Sequence, residues 1–252
     1  MEPKDLKVKT ILISQPAPAD VKSPYADIKE KYRVQFTFRP FTHVEPLPAK
    51  DFRKDKINIT EHTALIFSSK TAIEHFFRIA EEMRVEISQD MKYFCVTEAI
   101  ALYLQKFIVY RKRKVFYPKV KETDIYHIIL KHKNENYLFP CSNVGQSEVV
   151  EFLKANKLKY SEAVIYKTVS SDLSDLAEVK FDVLAFFSPA GLKSVFDNFP
   201  DFDQGNTRIA AFGAATCQAV LDAGLRLDIK APTPEVPSMK MALENYIKKV
   251  NR

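Results

Sequence analysis

Two hydroxyl-bearing turns carry the residues in this chain best suited to chemistry. In 64–77, ALIFSSKTAIEHFF, Ile66-Phe67 lead into Ser68-Ser69; in 183–196, VLAFFSPAGLKSVF, Phe186-Phe187 lead into Ser188-Pro189. Each reads as a buried strand, a turn and a helix. A strand that delivers serine to a helix N-terminus makes a ready anion site, because the first amides of a helix lack intrahelical partners. For either turn alone, a plain N-cap at Ser68 or Ser188 is the commoner reading, and only the pair brings a binding role level with it. Two in equivalent places predict two similar halves facing a polyanionic ligand.

Other reactive side chains lack the spacing that chemistry needs. His43, His62, His75, His127 and His132 form no HExxH or related ligand pattern, so no metal is expected. Cys95, Cys141 and Cys217 are odd in number and far apart, and read as buried structural thiols rather than a disulfide framework. The five glycines all lie at or beyond Gly145, in neither GxGxxG nor P-loop order, which excludes the common nucleotide motifs.

The formal charge is +6. Its one dense run, Tyr110-Arg111-Lys112-Arg113-Lys114, adjoins strand-like Val115-Phe116-Tyr117 and reads as a solvated edge strand. With no RNP aromatics, zinc-finger spacing or helix-turn-helix signal, no nucleic-acid partner is expected, and the charge reads as diffuse attraction for an anionic ligand. No apolar stretch is long enough to span a bilayer, and the N-terminal MEPKDLKVKT carries no leader pattern. The expectation is a cytoplasmic protein without a membrane partner, monomeric because no coiled-coil or apolar stripe stands out.

The elements that position these turns alternate. Strands are expected at Val8–Ser14, at 34–38, Ala64–Phe67 and Tyr93-Val96, at Lys114–Tyr117 and 137–140, and at Ala163–Val169, Val183–Phe187 and Arg208–Phe212. Helices are expected from Pro24 to Lys31 with Ser23 as N-cap, and after Ser69 with Ile73, Phe76, Phe77 and Ala80 inward. Further helices fall at Glu98–Gln105 with Ala99, Leu102 and Tyr103 inward, from about Gln146 to Asn156 with Val149, Val150 and Leu153 inward, and at Ala190–Phe196. The last two run over Thr216–Ala223, ended by Gly224, and around Met239–Val250. Alternating strands and helices predict parallel sheets covered on both faces, with ligands at the strands' carboxyl ends.

Extended pieces at 39–43 and 164–170 suggest a two-stranded bridge. Domain 1 would then be 1–38 with 171–252, and domain 2 would be the inserted 44–163. A cleft between two such domains suits a large flexible substrate.

Together these segments resemble Bacteroidetes-type members of the uroporphyrinogen-III synthase family over nearly the whole length. The resemblance lies in Ile66-Phe67-Ser68-Ser69 with Ala72, in Leu138 to Asn143 and in Val164 to Val169. It continues in Phe186 to Gly191, in Ala211-Phe212-Gly213 with Thr216, and in Ala231-Pro232-Thr233-Pro234. It implies two flavodoxin-like α/β domains joined by a two-stranded β-ladder. It also implies a cofactor-free reaction on hydroxymethylbilane, a linear tetrapyrrole with eight carboxylates, whose ring D is inverted through a spiro intermediate. Tyr166 matches the family's linker tyrosine and would assist hydroxide departure. Ser68, Ser69, Lys70 and Thr71 match one binding loop and Ser188, Pro189, Ala190 and Gly191 the opposite one. Ser142, Asn143, Gly213 and Thr216 complete the implied binding set.

The family's glycine and threonine after a domain-2 strand are here Thr97 and Ile100, and Glu98 between them is unfavourable near carboxylates. A paired threonine near Gly213 is reduced to Ala215-Thr216. A tetrapyrrole- or anion-binding relative without turnover is therefore the second reading, and an unrelated α/β sensor the third.

Overall fold

The computed structural model describes residues 7–18, 23–119, 124–144 and 147–251. In chain order the elements are β1 (Thr10–Ile13), α1 (Ala26–Tyr32), β2 (Gln35–Phe38), β3 (Thr42–Pro46), α2 (Ala49–Phe52), β4 (Ala64–Phe67) and α3 (Lys70–Glu82). Next come β5 (Lys92–Cys95), α4 (Glu98–Leu104), β6 (Val115–Phe116), α5 (Asp124–Lys131), β7 (Tyr137–Ser142), α6 (Glu148–Ala155) and β8 (Tyr160–Ser170). The chain ends with β9 (Val183–Phe186), α7 (Pro189–Asn198), β10 (Arg208–Phe212), α8 (Ala214–Asp222), β11 (Ile229–Ala231) and α9 (Met239–Val250). It divides into two compact units, residues 1–43 with 169–252, and residues 44–168.

The discontinuous unit holds a five-stranded sheet in the order β11-β10-β9-β1-β2, with parallel pairing throughout. Counted along this unit the order is 2-1-3-4-5, the flavodoxin-like winding, which reverses between β1 and β9. Its central strand shows why the sequence reads as an unbroken apolar run. Val183 and Ala185 pack with α1 and α9 on one face, while Leu184 and Phe186 pack with α7 and α8 on the other.

The inserted unit holds a sheet in the order β3-β8-β7-β4-β5-β6, and its β4 to β8 pairs are parallel. Ala64 and Ile66 face α5 and α6, whereas Leu65 and Phe67 face α2, α3 and α4. The winding reverses between β4 and β7. As expected for the basic run, Arg111, Lys112 and Arg113 are exposed and lead into edge strand β6.

Several expectations need correction. The first helix starts at Ala26 and Tyr25 is its N-cap position, without a side-chain cap. Ser23 instead opens a turn, its carbonyl accepting from the Ala26 amide at 3.0 Å with Pro24 in the second position that proline favours. In α4 the inward residues are Ile100, Ala101 and Leu104, and Leu102 is 56% exposed. EAIALYL is apolar nearly all round, so periodicity did not single out its face. Phe77 and Val150 are half-buried rather than core. Helix α5, whose buried Ile125 and Ile129 stand at helical spacing, and the three-residue strand β11 were missed. The expected helix start at Gln146, and Gly145, lie outside the described residues.

The cysteines behave as structural thiols. All three are free, Cys95 and Cys217 are buried, and burial pushes the Cys95 thiol up to about 12 and Cys141 up to about 11.

Candidate functional site

In the inserted unit, β4 ends at Phe67 and the N-cap of α3 is Ser69, not Ser68. Ser69 is extended and its Oγ accepts from the Ala72 amide at 3.0 Å. The amides of Lys70 and Thr71 are then left without intrahelical partners. In the discontinuous unit β9 ends at Phe186 and the cap is Ser188, whose Oγ accepts from the Gly191 amide at 3.1 Å. The two turns therefore match with Ser69 opposite Ser188 and Ser68 opposite Phe187. They are unequal as donors. Pro189 fills the first helical position and has no N–H, so only the Ala190 amide stays open there.

Helix α8 compensates. It begins at Gly213, which has no side chain to cap with, so the first-turn amides of Ala214, Ala215 and Thr216 face no capping oxygen. Gly213 sits at φ 89° and ψ 149°, a region essentially reserved for glycine. Strands β9 and β10 are parallel neighbours, so α7 and α8 open on the same sheet end, with the Phe187 and Phe212 rings 6.0 Å apart between them. Thr216 itself is buried at 3% exposure. Ser14 was missed: it follows β1 at the winding reversal, and its Oγ lies 3.7 Å from where a Cβ on Gly191 would stand. The signal was present, since Ile11-Leu12-Ile13-Ser14 is the same apolar-run–serine pattern.

Tyr166, near the carboxyl end of β8, opens on a pocket of about 570 Å³ shared with Ser68 and Ser142. That pocket lies at the carboxyl ends of β4 and β7, where the winding reverses and where such folds place ligands. The Tyr166 ring stacks on His75 of α3, centroids 5.2 Å apart and 26° between planes. Burial first, and then the Arg78 charge, hold the His75 imidazole below its ordinary pKa. Arg78 Nε donates to His75 Nδ1 at 3.4 Å, while its Nη2 donates to the carbonyls of Leu47 at 2.7 Å and Ile165 at 3.4 Å. One guanidinium thus ties α3 to the backbone just before Tyr166.

Ser142 and Asn143 serve the same strand end. Ser142 Oγ lies 3.1 Å from Thr168 Oγ1, and Asn143 Oδ1 accepts from the Thr168 amide at 2.9 Å, where the β7–β8 register shifts. Of the predicted residues, Ser68, Ser142 and Tyr166 thus share one pocket. Lys70, Thr71 and Asn143 do not line it, and Lys70 Nζ lies 5.3 Å over the Tyr103 ring. Glu148 and Glu162 do line it.

At the Thr97 loop the replacements support each other. Thr97 is extended, at φ −138°, and caps α4 through the Ile100 amide at 3.3 Å; Ile100 is in the core. Glu98 stands exposed in the first turn, where a carboxylate suits the helix dipole. A larger cavity, about 800 Å³, lies at the amino ends of β9 and β10 beside Asp182 and Arg208. Volume alone favours it, but it is on the wrong end of the sheet for a doubly wound ligand site. No cluster of His, Cys, Asp or Glu able to hold a metal occurs among the described residues.

Fold and site together define a protein of two doubly wound α/β units in which helix starts at the strands' carboxyl ends leave backbone amides open. Comparison with known proteins agrees. The model of the family described as uroporphyrinogen-III synthase HemD matches residues 23–240. A uroporphyrinogen-III synthase from Chlorobaculum parvum is 21% identical over 96% of this chain and 100% of its own. The crystal structure of uroporphyrinogen-III synthetase from Helicobacter pylori superposes with a TM-score of 0.60 at 17% identity, covering 95% of this chain and 99% of that one. A mutant uroporphyrinogen III synthase from Thermus thermophilus gives 0.55 at 9% identity, covering 96% and 99%. The chain belongs to the uroporphyrinogen-III synthase family, and its function is that family's lyase step in tetrapyrrole biosynthesis.

Proposed function

We propose that the chain cyclises hydroxymethylbilane to uroporphyrinogen III without a cofactor, inverting ring D through a spiro intermediate, with Tyr166 assisting departure of the hydroxyl. The observation that carries this reading is the shared pocket of Tyr166, Ser68 and Ser142 at the carboxyl ends of the inserted unit's strands. A phenol there can donate to a leaving hydroxyl. The carboxylates of Glu148 and Glu162 make the same pocket a poor home for acetate or propionate, and a good one for a pyrrole ring carrying positive charge.

The substrate's carboxylates belong instead at the open amides of Lys70 and Thr71, and of Ala190, Ala214 and Ala215. These donors are fixed before binding, so they hold the substrate in shape at little entropic cost. Direct closure to the type I isomer needs no enzyme; the protein's contribution is to make the spiro closure the shorter path. Ser69 and Ser188 cap helices and neither is a nucleophile. Ser142 and Asn143 act mainly by fixing the end of β8. The same reading makes the protein a cytoplasmic monomer.

The test is to incubate hydroxymethylbilane with the purified chain and separate isomers I and III. Type III in excess of the enzyme-free control is the expected result. A mixture identical to that control would overturn the catalytic reading and leave binding without turnover as the alternative.

A further inference from the structure

The geometry points to a second surface on the inserted unit that docks reversibly onto an anionic lipid bilayer. Residues 106–114, KFIVYRKRK, hold five cations and no acid. They connect the end of α4 to the start of β6, so they lie at the amino end of the sheet. Ser68 and Ser142 lie at the carboxyl end. The densest charge in the chain is therefore not placed for the substrate.

Its shape is that of an interfacial anchor. Val109 is 84% exposed, and Phe107 and Leu102 nearby are 36% and 56% exposed. Val109 and Ile108 line an apolar groove of about 370 Å³ with Ile87 and Met91, and Arg111 and Lys114 stand at its side. The loop is held in this form. Lys114 Nζ bridges to Asp90 at 2.9 Å, and Arg111 Nη2 donates to Gln89 at 3.2 Å. Arg111, Lys112 and Arg113 remain exposed around an aliphatic tip.

Charge complementarity selects an anionic partner, and the tip selects lipid over nucleic acid. Base stacking needs an open aromatic face, whereas the Phe107 ring is stacked on Phe77 at 5.1 Å. An exposed valine flanked by cations suits insertion at the headgroup boundary, with each cation adding attraction to anionic lipid. No helix among the described residues is long and apolar enough to cross a membrane, so the association is peripheral.

Sedimentation of the full chain with phosphatidylglycerol–phosphatidylcholine vesicles tests this, with pure phosphatidylcholine as control. Binding is expected to the anionic vesicles alone and to weaken as salt rises. Val109→Asp, and separately Lys112→Glu with Arg113→Glu, should each lower partitioning by about tenfold. Both variants should still yield isomer III, which establishes that they fold. Absence of sedimentation with anionic vesicles at low salt overturns the proposal, as does equal binding by Val109→Asp. Retention on an oligonucleotide or polyglutamate matrix without vesicle binding also overturns it, and assigns the surface to a macromolecule.

Discussion

The imidazole of His75 lies under the ring of Tyr166, with centroids 5.2 Å apart and planes 26° from parallel. The pair joins the tyrosine proposed to assist hydroxyl departure to helix α3, whose first turn leaves the Lys70 and Thr71 amides without intrahelical partners. Arg78 closes the link by binding His75 on one side and the Ile165 carbonyl on the other. Positioning of the phenol and positioning of the proposed carboxylate-binding amides thus run through the same helix.

Tyr166→Phe should lower kcat by about a hundredfold or more, the range expected for loss of one proton-donating group, with KM changed far less. Steady-state kinetics with isomer separation is the measurement. Unchanged kinetics would remove the phenol from the mechanism and leave substrate folding as the whole of catalysis.

His75→Ala should lower kcat severalfold while leaving KM nearly unchanged, because the stack orients the phenol without touching substrate. His75→Phe restores a flat ring at that place and should recover most of the rate. Equal losses in both variants would show that the imidazole acts by something other than stacking.

Capping is separable from binding. Ser69→Ala and Ser188→Ala each remove a hydrogen bond to a third-position amide and should cost about 1 kcal/mol of stability. Thr97→Gly, which restores the family's residue, should cost only a few tenths. All three should retain turnover, since none of the hydroxyls is a nucleophile. Denaturant midpoints and isomer III yield read the two effects apart, and abolished turnover in stably folded Ser69→Ala would contradict the assignment.

Acid should destabilise the fold before any carboxylate protonates. Burial lowers the pKa of both His75 and His132, helped by Arg78 and Lys92 respectively. The unfolded chain therefore binds protons first as pH falls through about 6.5, and the folded state loses stability until both histidines titrate. Above that pH both states are neutral at these rings and the effect vanishes. The denaturation midpoint followed from pH 7 downward should drop in the natural chain and drop less in His132→Gln. Parallel curves for the two would place the acid sensitivity elsewhere.

How much was legible follows from what each signal depends on. Strands β4 and β9 were read nearly to the residue, because burial on both faces makes the run continuous and serine or proline ends it. Strand β11, only Ile229–Ala231, has too few residues to show a pattern. The face of α4 was misread because its apolar residues surround the helix. A serine pair offers two candidate caps, Ser68 and Ser69, and only the extended backbone of Ser69 decides between them. Tyr166 was singled out through resemblance, yet its neighbours His75 and Arg78 were not, since their meeting with β8 depends on strand order that local periodicity does not encode. Ser14 was legible and passed over.

The two glycines at the helix starts of the discontinuous unit should respond in opposite ways to the same change. At Gly213, φ 89° is closed to L residues, although a Cβ there would meet no atom within 4 Å. The strain lies in the backbone, so Gly213→Ala should cost about 1–3 kcal/mol. Relief of that strain would rotate the first turn of α8 and misplace its open amides, raising KM. At Gly191, inside α7, a Cβ would stand 3.4 Å from Ser188 Oγ and 3.7 Å from Ser14 Oγ, ordinary contact distances. Gly191→Ala gains helix propensity of about 1 kcal/mol and should be neutral or stabilising. Thermal or denaturant midpoints compared side by side, together with KM, check the pair. A stabilised Gly213→Ala variant would mean that the α8 entrance adopts another conformation, and its amides could then no longer be assigned to substrate.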